Sequence, residues 1–265
     1  MGLVYLGVAK VIFDGKKQAE REAEFLEESE RVLGKSLVIF QCDGRTYDSA
    51  YVRLKREMGE RLGVVVSVDF RSKITDLREG IMEVNGDETV DGILVQLPVL
   101  GATKEEVEQI MSTINPEKDV DGLNPKSRFI PAVVRVVERL IEIFKIKEDD
   151  RIAVVGDKGA VGVRLMERLK VLGLSPKGFD QGDNLKNLED FEVVISATGV
   201  SGLIASEMVA EGFTGIDLGY PKGDFSPEAV AKASLITPVP GGVGPMTILA
   251  LYENLGIEKL GQGDF

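Results

Sequence analysis

The chain has 265 residues and carries 32 basic against 44 acidic side chains, a formal charge of −12. That balance argues against a broad nucleic-acid surface, which needs clustered Lys and Arg to release counterions, and no apolar run approaches the roughly 18 residues that would cross a bilayer. The absence of histidine excludes a Ser-His-Asp triad and imidazole metal ligation, and the lone Cys42 excludes a disulfide framework.

The opening residues Met1-Gly2-Leu3-Val4-Tyr5-Leu6 have neither the basic stretch nor the cleavage site of a secretory signal, so a cytoplasmic protein without a membrane partner is expected. Residues 18–33 read as an acidic helix. β-branched runs at 37–41, 64–68 and 92–97 read as strands, followed by helical patterns near 49–62, 75–85 and 103–114. Residues 115–128, punctuated by Pro116, Asp119, Asp121, Gly122, Asn124 and Pro125, read as a loop. A helix at 133–144 then leads to a strand at 151–155, a glycine-punctuated turn and a helix at 161–172. Further strands are expected at 177–179, 193–196, 214–217 and 235–237. A last helix, about 247–255, follows a Pro/Gly loop and is expected to pack back on the first domain. The alternation of strands and helices predicts an α/β chain with parallel sheets and crossover helices.

Five segments could carry chemistry. Gly156-Asp157-Lys158-Gly159-Ala160-Val161-Gly162 follows a strand and opens a helix, where backbone N–H groups and the helix dipole favour a pyrophosphate. Its spacing is G-x-x-G-x-x-G rather than the usual G-x-G-x-x-G, so a purely steric turn fits equally. Asp180 ends the next strand, near the place where a carboxylate accepts bonds from an adenosine ribose.

Tyr51 and Lys55 are four apart and share a helix face. Burial moves lysine readily toward neutrality, where it can act as acid or base. Taken alone, this charged helix reads as a solvated face. Gln96 interrupts a buried strand near its carboxyl end, where ligands gather in open α/β sheets; a satisfied core amide fits as well. Asp119 and Asp121, two apart in a loop, suit a cation, a helix cap or a row of ring N–H donors. No third acidic ligand follows at regular spacing, and no metal site is expected. Finally, Thr237-Pro238-Val239-Pro240-Gly241-Gly242-Val243-Gly244-Pro245 makes a rigid loop with little side-chain bulk, suited to a flat ring lying against backbone.

The strings VDGILVQLP, INPEKDVDGLNP, VVISATG and ITPVPGGVGPMTILALYENL, with Tyr51 and Lys55 in a Tyr-x-x-x-Lys helix, resemble the bifunctional methylenetetrahydrofolate dehydrogenase/methenyltetrahydrofolate cyclohydrolase family over residues 37–255. The resemblance implies an N-terminal α/β domain and a Rossmann-type nicotinamide-binding domain with a cleft between them. The expected ranges are 1–124 with 245–265 for the folate-binding catalytic domain and 125–244 for the nucleotide domain. It also implies a homodimer, tetrahydrofolate one-carbon substrates, and two steps. The first is oxidation of 5,10-methylenetetrahydrofolate with NAD(P)+. The second is hydrolysis of the methenyl product to 10-formyltetrahydrofolate. By matching position Lys55 is the acid/base of ring opening, Tyr51 stacks on the folate, Gln96 tunes Lys55, and Asp121 holds the pterin edge. Pro240, Gly241 and Gly242 face the substrate, and Gly156, Asp157, Lys158, Gly162, Asp180, Thr198 and Gly199 face the cofactor.

The chain departs from the family pattern in several places. Asp48 stands where a Ser usually precedes the Tyr, and Gly156-Asp157-Lys158 replaces Gly-Arg-Ser. Pro131-Ala132-Val133-Val134 replaces Pro-Cys-Thr-Pro, Asn124-Pro125-Lys126-Ser127 replaces His-Pro-x-Asn, and Asp180-Gln181-Gly182 replaces His-Ser-Arg. The family cofactor is NADP. Here Asp157 and Asp180 put negative charge near a 2′-phosphate with only Lys158 to oppose them, which weakens that preference and admits NAD. The same departures leave open a non-catalytic folate- or nucleotide-sensing subunit on this scaffold.

Overall fold

The computed structural model describes residues 11–257, which divide into two compact units: residues 19–135 with 247–257, and residues 11–18 with 136–246. In order the elements are β1 (Val11–Ile12), α1 (Gly15–Glu28), β2 (Ser36–Gln41), α2 (Ala50–Arg61), β3 (Val65–Phe70), α3 (Ile74–Gly86), β4 (Gly92–Gln96) and α4 (Lys104–Thr113). They continue with α5 (Ala132–Ile143), β5 (Ile152–Val155), α6 (Ala160–Val171), β6 (Lys177–Phe179), β7 (Val193–Ser196), β8 (Thr214–Asp217), α7 (Pro227–Lys232), β9 (Leu235–Ile236) and α8 (Val243–Leu255).

In the first unit a three-stranded sheet runs β3-β2-β4, with both pairings parallel. Parallel strands need crossovers and bury both faces, so the central β2 and its neighbour β4 read as nearly continuous apolar runs, whereas edge strand β3 alternates in exposure. One face packs Val38, Phe40, Ile93 and Val95 against Leu77 and Ile81 of α3 and Ile110 and Met111 of α4. On α2, a side chain at Gly59 would place its Cβ 2.3 Å from a Val66 methyl and 2.7 Å from the Tyr252 hydroxyl, so only glycine lets α2 approach β3 and α8 this closely.

The second unit holds a six-stranded sheet in the order β1-β9-β8-β7-β5-β6, parallel throughout. The chain leaves β5 toward β6 on one side and returns to β7 on the other. The carboxyl ends of β5 and β7 therefore flank the topological switch point, where open α/β sheets bind ligands.

Most strands and helices fall near where the hydrophobic pattern puts them; α1 is displaced, covering 15–28 rather than 18–33, and other differences concern β1, α7, α8 and β9. β1 and the short α7 were absent from the sequence expectation, although Ser226 caps α7 through Ala229 N–H and Pro227 opens it, a readable start signal. β1 pairs with β9, so residues 11–18 group with 136–246 rather than with the segment that follows them. The Pro/Gly loop is shorter than expected, because α8 already starts at Val243; Pro245 is tolerated in its first turn, whose N–H groups have no intrahelical acceptor. β9 ends at Ile236 rather than at Thr237, whose hydroxyl instead accepts from Asp217 N–H at 2.7 Å.

Candidate active site

Helix α2 is started by two polar side chains. Ser49 caps it by accepting from Val52 N–H at 3.3 Å, and Ser49 N–H donates to the Gln41 side-chain oxygen at 3.0 Å. Gln41 is fully buried at the end of β2, and its amide nitrogen holds Asp43 and the Tyr47 carbonyl at 3.0 Å each. The loop before α2 is thus pinned to the sheet, which sets where the Tyr51–Lys55 face points.

Lys55 is 4 % exposed. Its Nζ donates to Gln96 Oε1 at 2.9 Å and lies 4.9 Å from the centre of the Tyr51 ring. Gln96 Nε2 donates to the Leu97 carbonyl at 2.6 Å, which turns the amide oxygen toward the lysine. Burial pulls the ammonium down to about 8, against the opposing pull of the Asp121 charge. At neutral pH roughly one molecule in ten then carries the free amine.

Asp121 follows from a turn that only glycine can make. Gly122 sits at φ +71°, and a Cβ there would lie 2.7 Å from Pro131 Cα. Burial pushes the Asp121 carboxyl up and the nearby Lys55 charge pulls it back. Next to it, Asp119 is 1 % exposed and is raised to about 7 by burial, with the Asp121 charge adding to the rise; Oδ2 accepts from Asn124 N–H at 2.8 Å. Lys118, by contrast, closes the end of α3 through the carbonyls of Val84, Asn85 and Asp87, a structural role. Helix α8 secures the whole arrangement. The Tyr252 hydroxyl donates to the Lys55 carbonyl, and Asn254 Nδ2 donates to the carbonyls of Val120 and Ile130 at 2.9 and 3.0 Å.

In the second unit Gly156 follows β5 at φ +87°, and its carbonyl lies 1.9 Å from where a Cβ on Gly162 would sit. Turn and helix therefore touch backbone to backbone. The cap residue of α6, Gly159, offers no side-chain hydrogen bond, which leaves the first-turn N–H groups for an anion. Across the switch point, Thr198 and Gly199 are held by the fully buried Asp224. Its Oδ2 accepts from Ser196 Oγ at 2.7 Å, Thr198 Oγ1 at 2.8 Å, Thr198 N–H at 2.9 Å and Gly199 N–H at 3.2 Å. Asp217 in turn accepts from the N–H groups of Gly219, Asp224 and Phe225. A glycine cradle beside an uncapped helix start suits a dinucleotide pyrophosphate.

Two family models match the chain: the tetrahydrofolate dehydrogenase/cyclohydrolase catalytic domain over residues 10–121, and the NAD(P)-binding domain of the same enzymes over 131–260. The chain belongs to this family. A bifunctional protein FolD of Mycoplasmopsis synoviae is 33% identical over 273 residues, covering 92% of this chain and 98% of the relative. Among solved structures, the bifunctional FolD dehydrogenase/cyclohydrolase of Campylobacter jejuni superposes with a TM-score of 0.81 at 28% identity, covering 94% of this chain and 98% of that one. The Trypanosoma brucei dehydrogenase-cyclohydrolase, solved with NADP and an inhibitor, gives 0.81 at 25% identity, covering 93% and 96%.

Of the family positions expected from sequence, Lys55, Tyr51, Gln96 and Asp121 gather in the first unit. Gly156, Asp157, Lys158, Gly162, Thr198 and Gly199 lie around the carboxyl ends of β5 and β7, with Asp180 following β6. Pro240, Gly241 and Gly242 follow β9 in the second unit, with Gly241 at φ +104° and Gly242 N–H bonded to the Pro238 carbonyl at 2.8 Å. Sequence reasoning passed over Gln41, Tyr252, Asn254 and Asp224. The first interrupts an apolar strand just as Gln96 does, a signal that could have found it.

Proposed function

We propose that the chain oxidises 5,10-methylenetetrahydrofolate with NAD(P)+ and hydrolyses the methenyl product to 10-formyltetrahydrofolate. The observation that carries this reading is the buried Lys55 amine, held by Gln96, set over Tyr51 and lowered to about 8. Bound NAD(P)+ supplies the hydride acceptor; the chain's own residues position the folate. Asp121 offers acceptors to the pterin N–H edge and Tyr51 a ring face.

In ring opening, water adds to the cationic methenyl carbon and its proton passes to the Lys55 amine. The carbon–N5 bond then breaks, Lys55 returns a proton to N5, the hydroxyl proton leaves to solvent, and the formyl group stays on N10. A cationic folate beside Lys55 further favours the neutral amine, because like charges repel. No observation favours the non-catalytic alternative.

The reading extends to a homodimer in the cytoplasm, supported by the family resemblance; light scattering on the purified chain and fractionation of its host test these two points. The enzymatic test is optical. With methylenetetrahydrofolate and cofactor, methenyl absorbance should appear and then decay faster than it does spontaneously. Absence of the rise removes the dehydrogenase, and decay at the spontaneous rate removes the cyclohydrolase.

A further inference from the structure

We infer that this chain selects NAD over NADP, through Asp157 and Asp180 at the adenosine end of its nucleotide site. The inference rests on the dehydrogenase reading and sharpens which dinucleotide serves it. The N–H groups of Gly156 and Asp157 both point at the Phe179 carbonyl, at 2.7 and 3.4 Å, so the β5–α6 turn and the end of β6 form one rim. Asp180 is the first residue beyond β6 on that rim. An adenosine ribose seated at a turn of this type has its 2′ and 3′ hydroxyls at the end of the second strand.

The rim is built to accept hydrogen bonds. Asp157 turns its carboxylate over β6, where Gly178 leaves the room: a Cβ on Gly178 would lie 2.0 Å from Asp157 Oδ2. Asp157 Oδ1 is buried and receives no hydrogen bond from the chain, an arrangement that costs free energy until a donor arrives. Asp180 is fixed in a tight turn, its Oδ1 taking Gln181 N–H at 2.7 Å and its own N–H donating to Asp183 Oδ2 at 2.8 Å. Asp180 and Asp183 thus sit together just beyond β6, and the Asp157 carboxylate lies over Gly178 within that strand.

The basic groups nearby do not balance them. Lys158 is exposed, and the Lys177 ammonium lies over the Phe179 and Phe191 rings at 5.3 and 6.0 Å. A ribose hydroxyl donates to such acceptors. A 2′-phosphate brings acceptors and negative charge to acceptors that are themselves negative.

Titration calorimetry on the full chain with NAD+ and with NADP+ tests this without reference to turnover, and ADP-ribose against its 2′-phosphate isolates the adenosine end. NAD+ should bind at least about tenfold more tightly. The doubly substituted Asp157→Ser, Asp180→Ser chain should narrow that ratio by about tenfold, chiefly by gaining affinity for NADP+. Asp180→Asn, which keeps the turn geometry, should narrow it in the same direction. Equal affinities, or tighter NADP+, would overturn the inference and leave the dehydrogenase reading intact. An unchanged ratio in both substituted chains would overturn the assignment to these residues. Binding of neither dinucleotide would end both readings together.

Discussion

The two units each bury a charge, and they surround it in opposite ways. Lys55 has one side-chain acceptor, a ring face and a carboxylate at electrostatic range, and its ammonium is pulled down to about 8. Asp224 has four donors on a single oxygen, two of them backbone N–H groups of the loop after β7. A buried carboxylate oxygen supplied with four donors ties loop and strand together and holds structure, whereas a buried ammonium left undersupplied gives up its charge readily and is available for chemistry. Substitution at these two sites should therefore move activity and stability in different directions.

The largest expected effect is on activity. Lys55→Met removes the amine assigned to proton transfer and should lower ring opening by about 10² to 10⁴, the range of general acid–base catalysis. Methenyl decay followed in the presence of the variant checks this, and decay at the parent's rate would take Lys55 out of the mechanism. Asp224→Ala should act on the fold instead. It strands the hydroxyls of Ser196 and Thr198 and the N–H groups of Thr198 and Gly199, at a cost of roughly 3 kcal/mol. Denaturant melts should show the loss, with a smaller one for Asp224→Asn.

The same lysine substitution should stabilise the folded chain. A lysine lowered in the folded state binds fewer protons than in the unfolded one between pH 8 and 10.5, so stability rises with pH through that window. Below pH 8 the whole cost of the buried ammonium is present, and Lys55→Met should recover about 1 to 3 kcal/mol at neutral pH. Unfolding curves at pH 7 and pH 10.5 separate the cases: the variant's advantage should shrink at the higher pH. An advantage independent of pH would mean that methionine simply packs better.

How much of this was legible beforehand follows from how each residue is held. Tyr51 and Lys55 lie four apart on one helix and Gln96 breaks an apolar strand at its carboxyl end, so local pattern marks all three positions, yet alone it reads the first pair as a solvated face and the third equally as a core amide; the family motifs decide between them. Asp224 sits among Pro221, Lys222 and Gly223 in a polar turn with no periodicity, and its partners lie 25 to 28 residues away. Tyr252 meets Lys55 across 197 residues. Such contacts are set by topology. β1 spans two exposed residues, too few for any hydrophobic pattern, and pairs with a strand more than 200 positions later.

The smallest effect is the most direct test of how the lysine is tuned. Burial lowers it and the Asp121 charge partly restores it, so replacing that charge with a neutral amide should lower Lys55 below about 8. In the parent, ring opening should rise with pH as the free amine forms and level off above about pH 8. In Asp121→Asn the rising limb should move to lower pH while folate affinity weakens, because the acceptor pair offered to the pterin edge is now half a donor. The limb in kcat/KM reports the free enzyme. A limb that stays in place with only KM raised would leave Asp121 as a substrate anchor alone and make burial the whole origin of the lysine's reactivity.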